Sequence, residues 1–275
     1  MVEQLNIHVG TSGYSYDDWK GNWYPKSIAS SKMLEFYAKR FPCVELNFSY
    51  YRIPTRKTTE SMVRKTSDEF LFTLKAHQSF THEREPGEEE FTAFRDGTAP
   101  LAESGKLGAL LLQFPFSFKE SPENRDYLLR LRDRFQPWPQ VVEFRHRSWY
   151  AQEVFDLLKR EEISLCCVDE PNLPGLLPRL AMATGPVGYV RFHGRNSAKW
   201  WKHEEAEERY DYNYTQNELS DWIPKIKDLA NKATTTFVFF NNHVNGQAPS
   251  NAELLMALLG LPLVGRSDGG EGHLF

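Results

Sequence analysis

Glu45, Asn47, Lys75, His77, Gln113, Glu143, Arg145, Asp169, Arg191, His193 and Asn241 stand at or just past the ends of short apolar runs. The set holds three carboxylates, one lysine, two arginines and two histidines. Carboxylates and imidazoles pass protons near neutral pH. Guanidinium and ammonium groups hold anions. Together they suggest acid–base chemistry on a small anionic molecule.

Roles can be assigned by type. Glu45, Glu143 and Asp169 are candidates for acid or base, with His77 and His193 as proton carriers. Lys75, Arg145, Arg191 and Arg195 are expected to hold the anion. Thr11, Asn47, Gln113, Asn241 and Asn242 can contact polar parts of a substrate. Gly10, Gly13 and Gly194 free backbone amides near the same place, where an anion nest can form. The competing reading is structural. Charges buried in one core must be paired, and Glu143–Arg145 and Glu45–Arg191 are the plausible pairs.

Other chemistries are less well signalled. Glu45, His77, Glu143, Asp169 and His193 are suitable ligand types for a divalent ion. No HExxH spacing is present, and the nearby cations oppose a metal, so a divalent metal is possible but not favoured, and the sequence leaves the cofactor unknown. Paired carboxylates suit glycoside hydrolysis, but that depends on a separation in space. Ser12 and His193 lack the GxSxG setting of a nucleophile elbow.

These residues need elements to position them. Eight apolar runs, at about 7–11, 43–48, 70–75, 108–113, 140–145, 163–168, 187–193 and 235–241, read as strands. Helical spacing appears at 30–40, 58–65, 124–135, 152–160, 218–231 and 251–259. Alternation of the two predicts a parallel sheet. An open doubly wound sheet would carry a glycine-rich phosphate turn, and Gly10-Thr11-Ser12-Gly13 is too short for one. Eight units predict an α/β fold closed as a single (β/α)8 barrel, with its site at the C-terminal strand ends. Residues two apart on a strand share a face. Glu45 with Asn47, Lys75 with His77, Glu143 with Arg145, and Arg191 with His193 are therefore expected to point together into the barrel mouth.

The expected layout is one domain over 1–264 and a flexible tail over 265–275. Two stretches interrupt the regular spacing. Residues 77–105 are acidic and read as a solvated face with a surface helix. Residues 194–216 carry Trp200, Trp201, Tyr210, Tyr212 and Tyr214, too aromatic for a disordered loop.

The 275 residues are 40% hydrophobic and 25% charged, with a formal net charge of −4. That balance gives no electrostatic argument for nucleic acid or a membrane surface, although it leaves room for a local basic pocket and for nucleic acid as a partner. Cys43, Cys166 and Cys167 lie in strand runs without a disulfide or CxxC pattern, which suits buried thiols in a reducing compartment. No secretory leader or apolar run long enough to span a bilayer is evident. A cytoplasmic location is expected.

The stretches GTSGYSYDDWKGNWYP at 10–25, VELNFSYYRIP at 44–54, FLFTLKAHQSFTH at 70–82, LLQFPFSF at 111–118, VEFRHRSW at 142–149, YVRFHGRN at 189–196, YDYNYTQNEL at 210–219 and FVFFNNHVNGQAPSNA at 237–252 resemble the YecE-like family, domain of unknown function 72. They cover nearly the whole chain in order. The resemblance implies a TIM-barrel-like fold and no established reaction. The leading expectation is an enzyme acting on a phosphorylated sugar or nucleotide-like compound. The alternatives are a metal-assisted phosphoesterase, with nucleic acid ends as one substrate, and a non-enzymatic ligand- or nucleic-acid-binding module.

Overall fold

The computed structural model describes residues 5–263, so the tail expected at 265–275 lies outside the described residues. Eight parallel strands form the barrel: β1 Ile7–Thr11, β2 Cys43–Leu46, β3 Leu71–Lys75, β4 Leu107–Gln113, β5 Gln140–Glu143, β6 Ser164–Asp169, β7 Val187–Phe192 and β8 Thr235–Phe240. Neighbours follow the order β1-β8-β7-β6-β5-β4-β3-β2. The seam between β1 and β2 closes through a parallel bridge from Ser12 to Glu45, where the Gly13 N–H donates to the Glu45 carbonyl at 2.8 Å. The barrel thus closes beside one of its charged residues.

Helices α1 Ser30–Tyr37, α2 Phe48–Tyr51, α3 Arg56–Arg64, α4 Glu88–Glu103, α5 Pro122–Phe135, α6 Gln152–Arg160, α7 Gln216–Ser220, α8 Ile223–Lys232 and α9 Gln247–Leu259 surround it. Local chemistry sets their ends. Ser121 caps α5 through the Asn124 N–H, with Pro122 in the first turn. Thr215 and Glu218 form a capping box on α7. The helix read at 218–231 is two pieces, because Asp221 and Trp222 separate α7 from α8. The acidic stretch holds α4, whose first turn places Glu88, Glu89 and Glu90 at the positive end of the helix dipole. No helix joins β6 to β7 among the described residues; an irregular segment takes its place.

Tyr189, Phe237 and Phe239 pack against one another inside the barrel. Val44, Leu46 and Phe144, on the opposite phase from the charged residues, are buried, and Phe144 stacks on Trp149 at 4.1 Å. No described helix is long and apolar enough to cross a membrane. Cys43, Cys166 and Cys167 are free and buried.

Candidate active site at the barrel mouth

The end of β7 organises the interior. Arg191 donates from Nη1 to Glu143 Oε2 at 2.6 Å and from Nη2 to Glu45 Oε1 at 2.8 Å, joining three strands through one guanidinium. Tyr189, two residues earlier on the same face, donates its hydroxyl to Glu45 Oε2 at 2.7 Å. Arg145 Nε lies 2.6 Å from Glu143 Oε1, and Arg145 Nη1 lies 3.7 Å from Glu170 Oε2. His193 Nε2 is 3.2 Å from Glu143 Oε1, and its Nδ1 is 3.2 Å from Asn241 Nδ2. This pattern fits one neutral tautomer, with the Nε2 proton toward Glu143 and Nδ1 accepting from Asn241.

Burial acts against every charge here, and partners decide the outcome. It pushes the Glu143 carboxyl up, but Arg145 and Arg191 outweigh it and hold that carboxyl well below the usual range. Burial, reinforced by Arg145, lowers His193 to about 3, so the ring is neutral at physiological pH. Glu170 has few partners, and burial raises it to about 7.

Lys75, at the end of β3, is the contrasting case. Among the described residues its ammonium makes no hydrogen bond or ion pair; it lies 4.0 Å from the centre of the Tyr50 ring. Burial first, then Arg191, lowers it to about 7. It faces a cavity of about 420 Å³ at the mouth, shared with Gln113 from the end of β4 and Arg145 from just past β5. His82, in a π-helical turn after β3, and Arg209 complete the polar wall. Tyr50, Tyr51, Phe116, Trp200, Trp201 and Tyr210 supply the aromatic wall. Among the described residues no carboxylate lines this cavity.

The aromatic loop folds over the mouth. Trp200 is buried, and Trp201 meets Phe116 edge-on at 5.1 Å. The loop departs from β7 at Gly194, whose φ of +92° only glycine adopts without strain, and a Cβ there would meet Tyr212 Cβ at 2.8 Å.

Several residues expected at the mouth are held elsewhere. Asp169 faces the helices: it takes Arg195 on both oxygens at 2.8 and 2.6 Å, the Tyr214 hydroxyl at 2.8 Å and the Trp222 indole N–H at 2.7 Å. Cys166 explains why, since its thiol lies 3.8 Å from Glu143 inside the barrel, and three residues on the strand phase is reversed. Arg195 is further tied to Glu218 at 3.0 Å. Both Arg191 and Arg195 therefore have their forks on carboxylates. Thr11 bonds the Tyr37 hydroxyl of α1, and Asn242 bonds the Tyr212 carbonyl and Asn251. His77 Nδ1 accepts from the Ser79 N–H and caps the turn that follows. Asn47 lies at the start of α2 on an adjoining groove, which shares Tyr51 with the mouth cavity, and its Oδ1 is unpartnered among the described residues.

Tyr189, Glu170, His82 and Arg209 were not singled out from the sequence. Tyr189 had a signal, being in phase with Arg191. The others come from loops and turns, where no periodicity marks direction. Among the described residues no three His, Cys, Asp or Glu side chains are grouped to hold a metal ion. Glu45 and Glu143 have guanidinium partners instead.

Residues 8–268 match the family described as "Protein of unknown function DUF72". The chain belongs to the DUF72 family. It is 34% identical to the UPF0759 protein YunF of Bacillus subtilis, over 94% of this chain and 96% of that one. It is 29% identical to the UPF0759 protein YecE of Escherichia coli, over 53% of this chain and 51% of the other. A solved DUF72 family structure from Thermotoga maritima superposes with a TM-score of 0.85 at 41% identity, covering 93% of this chain and 99% of that one. One from Enterococcus faecalis gives 0.83 at 30%, covering 98% and 100%. A GH5 cellulase gives 0.53 at 10% identity, covering 97% of this chain and 91% of that chain, a likeness of fold alone.

Proposed function

We propose that this DUF72 protein is an enzyme that binds a small anionic substrate with a planar or apolar portion in the cavity at the barrel mouth. One observation carries the reading: the cavity brings Lys75, Arg145 and Arg209 together with six aromatic side chains and, among the described residues, no carboxylate. Cations in the wall of a cavity whose own lining holds no carboxylate suit an anion from outside. The aromatic walls suit a sugar face or a base. Phosphorylated sugars and nucleotide-like compounds fit both walls.

The deeper cluster has a different role in this reading. Arg191, Glu45, Glu143 and His193 satisfy one another and hold Arg145 at the cavity edge. Arg191 and Arg195 are no longer the expected anion ligands, since carboxylates occupy their forks. Three buried free cysteines support a reducing compartment such as the cytoplasm.

Isothermal titration with inorganic phosphate, sugar phosphates and nucleoside monophosphates tests the reading. At least one phosphorylated compound is expected to bind, and Arg209→Gln is expected to weaken it about tenfold or more, the effect of losing a charge-assisted contact of about 1.5–3 kcal/mol. Absence of binding by every phosphorylated compound would reject the anion site.

A further inference from the structure

Lys75 is the titratable group in the cavity that the charge lattice leaves unpaired. It stands at a C-terminal strand end, with its ammonium against the Tyr50 ring. The carboxylates inside the barrel are turned to the guanidinium groups of Arg145 and Arg191. An ammonium kept only for anion binding gains most from full charge. Desolvated beside other cations, an amine instead keeps its lone pair available, which is the arrangement that makes lysine a nucleophile toward carbonyl carbon.

We propose that Lys75 forms an imine with the carbonyl carbon of a small phosphorylated aldehyde or ketone, whose phosphate lies against Arg145 and Arg209. The inference rests on the anion-cavity reading and names its substrate class. The neutral amine attacks the carbonyl carbon, so that a C–N bond forms while the carbonyl π pair moves to oxygen and takes a proton. The carbinolamine then loses that oxygen as water, and the nitrogen lone pair forms the C=N bond of a protonated imine. One ammonium and one carbonyl compound become one iminium ion and one water, with no change in oxidation state. The iminium can then draw electrons from an adjacent C–H or C–C bond.

Two features of the cavity agree with this chemistry. Burial, reinforced by Arg191, lowers the amine to about 7, so a substantial fraction is neutral at physiological pH. His82 lines the same cavity, and burial, with Lys75 and Arg145 beside it, lowers its ring to about 4. His82 is therefore a neutral imidazole, able to relay the proton that moves between nitrogen and oxygen.

The experiment treats the full chain with dihydroxyacetone phosphate and sodium borohydride, which reduces an imine to a stable secondary amine. Peptide mass spectrometry then locates the adduct. Uncharged dihydroxyacetone serves as comparison, and titration calorimetry without borohydride measures binding of the same phosphate ester. The expected result is an adduct at Lys75 that forms at least tenfold faster than at any exposed lysine, is faster with the phosphorylated probe, and is suppressed by inorganic phosphate. The Lys75→Arg protein should still bind the ester and give no adduct at that position. If the ester binds but Lys75 is labelled no faster than surface lysines, the imine is refuted and the anion cavity stands. If the ester does not bind and Lys75 is not labelled, the imine is refuted for this probe. Failure of inorganic phosphate and the other phosphorylated compounds to bind would then reject the cavity reading as well.

Discussion

The two sides of the barrel mouth treat charge in opposite ways. On the β5–β7 side, Glu143 meets Arg145, Arg191 and His193, and Arg191 continues to Glu45. On the β3–β4 side, the Lys75 ammonium has, among the described residues, the Tyr50 ring as its close partner, and the cavity opens beside it. Both sides are built from strand-end residues of the same fold. Pairing makes the first a rigid strut across three strands, and lack of pairing leaves the second reactive. In a barrel, a charged strand end signals function chiefly where nothing inside the protein answers it.

The strut should fail hardest. Replacing Arg191 by Met leaves Glu45 with Tyr189 as its remaining hydrogen-bond partner among the described residues and removes a cation from Glu143. Breaking a buried ion pair from one side costs about 3–5 kcal/mol. The urea midpoint should fall accordingly with little change in slope. A loss below about 1 kcal/mol would show that water or rearrangement reaches the strut.

Asp169 sharpens the comparison from outside the barrel. It anchors the aromatic loop through Arg195 and Tyr214, and α8 through Trp222. Asp169→Asn keeps the shape but weakens charge-assisted bonds, at about 1.5–3 kcal/mol. The loss should appear in stability and in the order of the loop, measured by hydrogen exchange at residues 194–216. An unchanged loop would mean that packing of Trp200 and Tyr214 holds it without the carboxylate.

Much of this arrangement was legible in the sequence. Strand positions came from apolar runs, and the phase of β5 and β7 came from charged residues two apart, which gave the Glu143–Arg145 and Glu45–Arg191 pairs. The phase of β6 was not legible. Every residue of Ser164–Asp169 is buried, so hydrophobic alternation carries no direction, and Asp169 could be placed on either face. Thr11 failed similarly, because the short polar side chain sits where a helix tyrosine reaches the strand. Glu170, His82 and Arg209 owe their positions to turns and a long loop, whose paths depend on tertiary contacts. The difference between the paired and unpaired sides was beyond the sequence, since it depends on which groups meet in space.

Acid below pH 6.5 should attack the strut. His193 is lowered by burial to about 3, and Glu143 is held well below its ordinary value. Between pH 6.5 and 3 the unfolded chain takes up a proton at His193 that the fold refuses, so stability falls with pH across that window. Below the ordinary carboxylate range Glu143 adds to the loss. Each unit below pH 6.5 should remove up to about 1.4 kcal/mol through His193. Chemical denaturation at several pH values checks this, and His193→Gln should flatten the upper part of the curve. A slope unchanged in that variant would assign the acid sensitivity to other groups.

Substitution of Lys75 should act with the opposite sign to substitutions in the strut. Burial and Arg191 lower it to about 7, so folding is penalised whenever the amine must be charged. The unfolded chain binds more protons than the fold between pH 7 and the ordinary lysine value, and wild-type stability therefore rises with pH across that window. Lys75→Met removes the penalty and keeps most of the apolar stem. Its gain should be full at or below pH 7, shrink by up to about 1.4 kcal/mol for each unit as pH rises, and vanish near the ordinary lysine value. The same substitution should remove carbonyl labelling in the cavity. A variant more stable yet unable to form an adduct is the signature of a group placed for chemistry at the expense of the fold. A variant less stable than wild type at pH 6 would instead place Lys75 in the strut with Arg191, and the contrast between the two sides would fail.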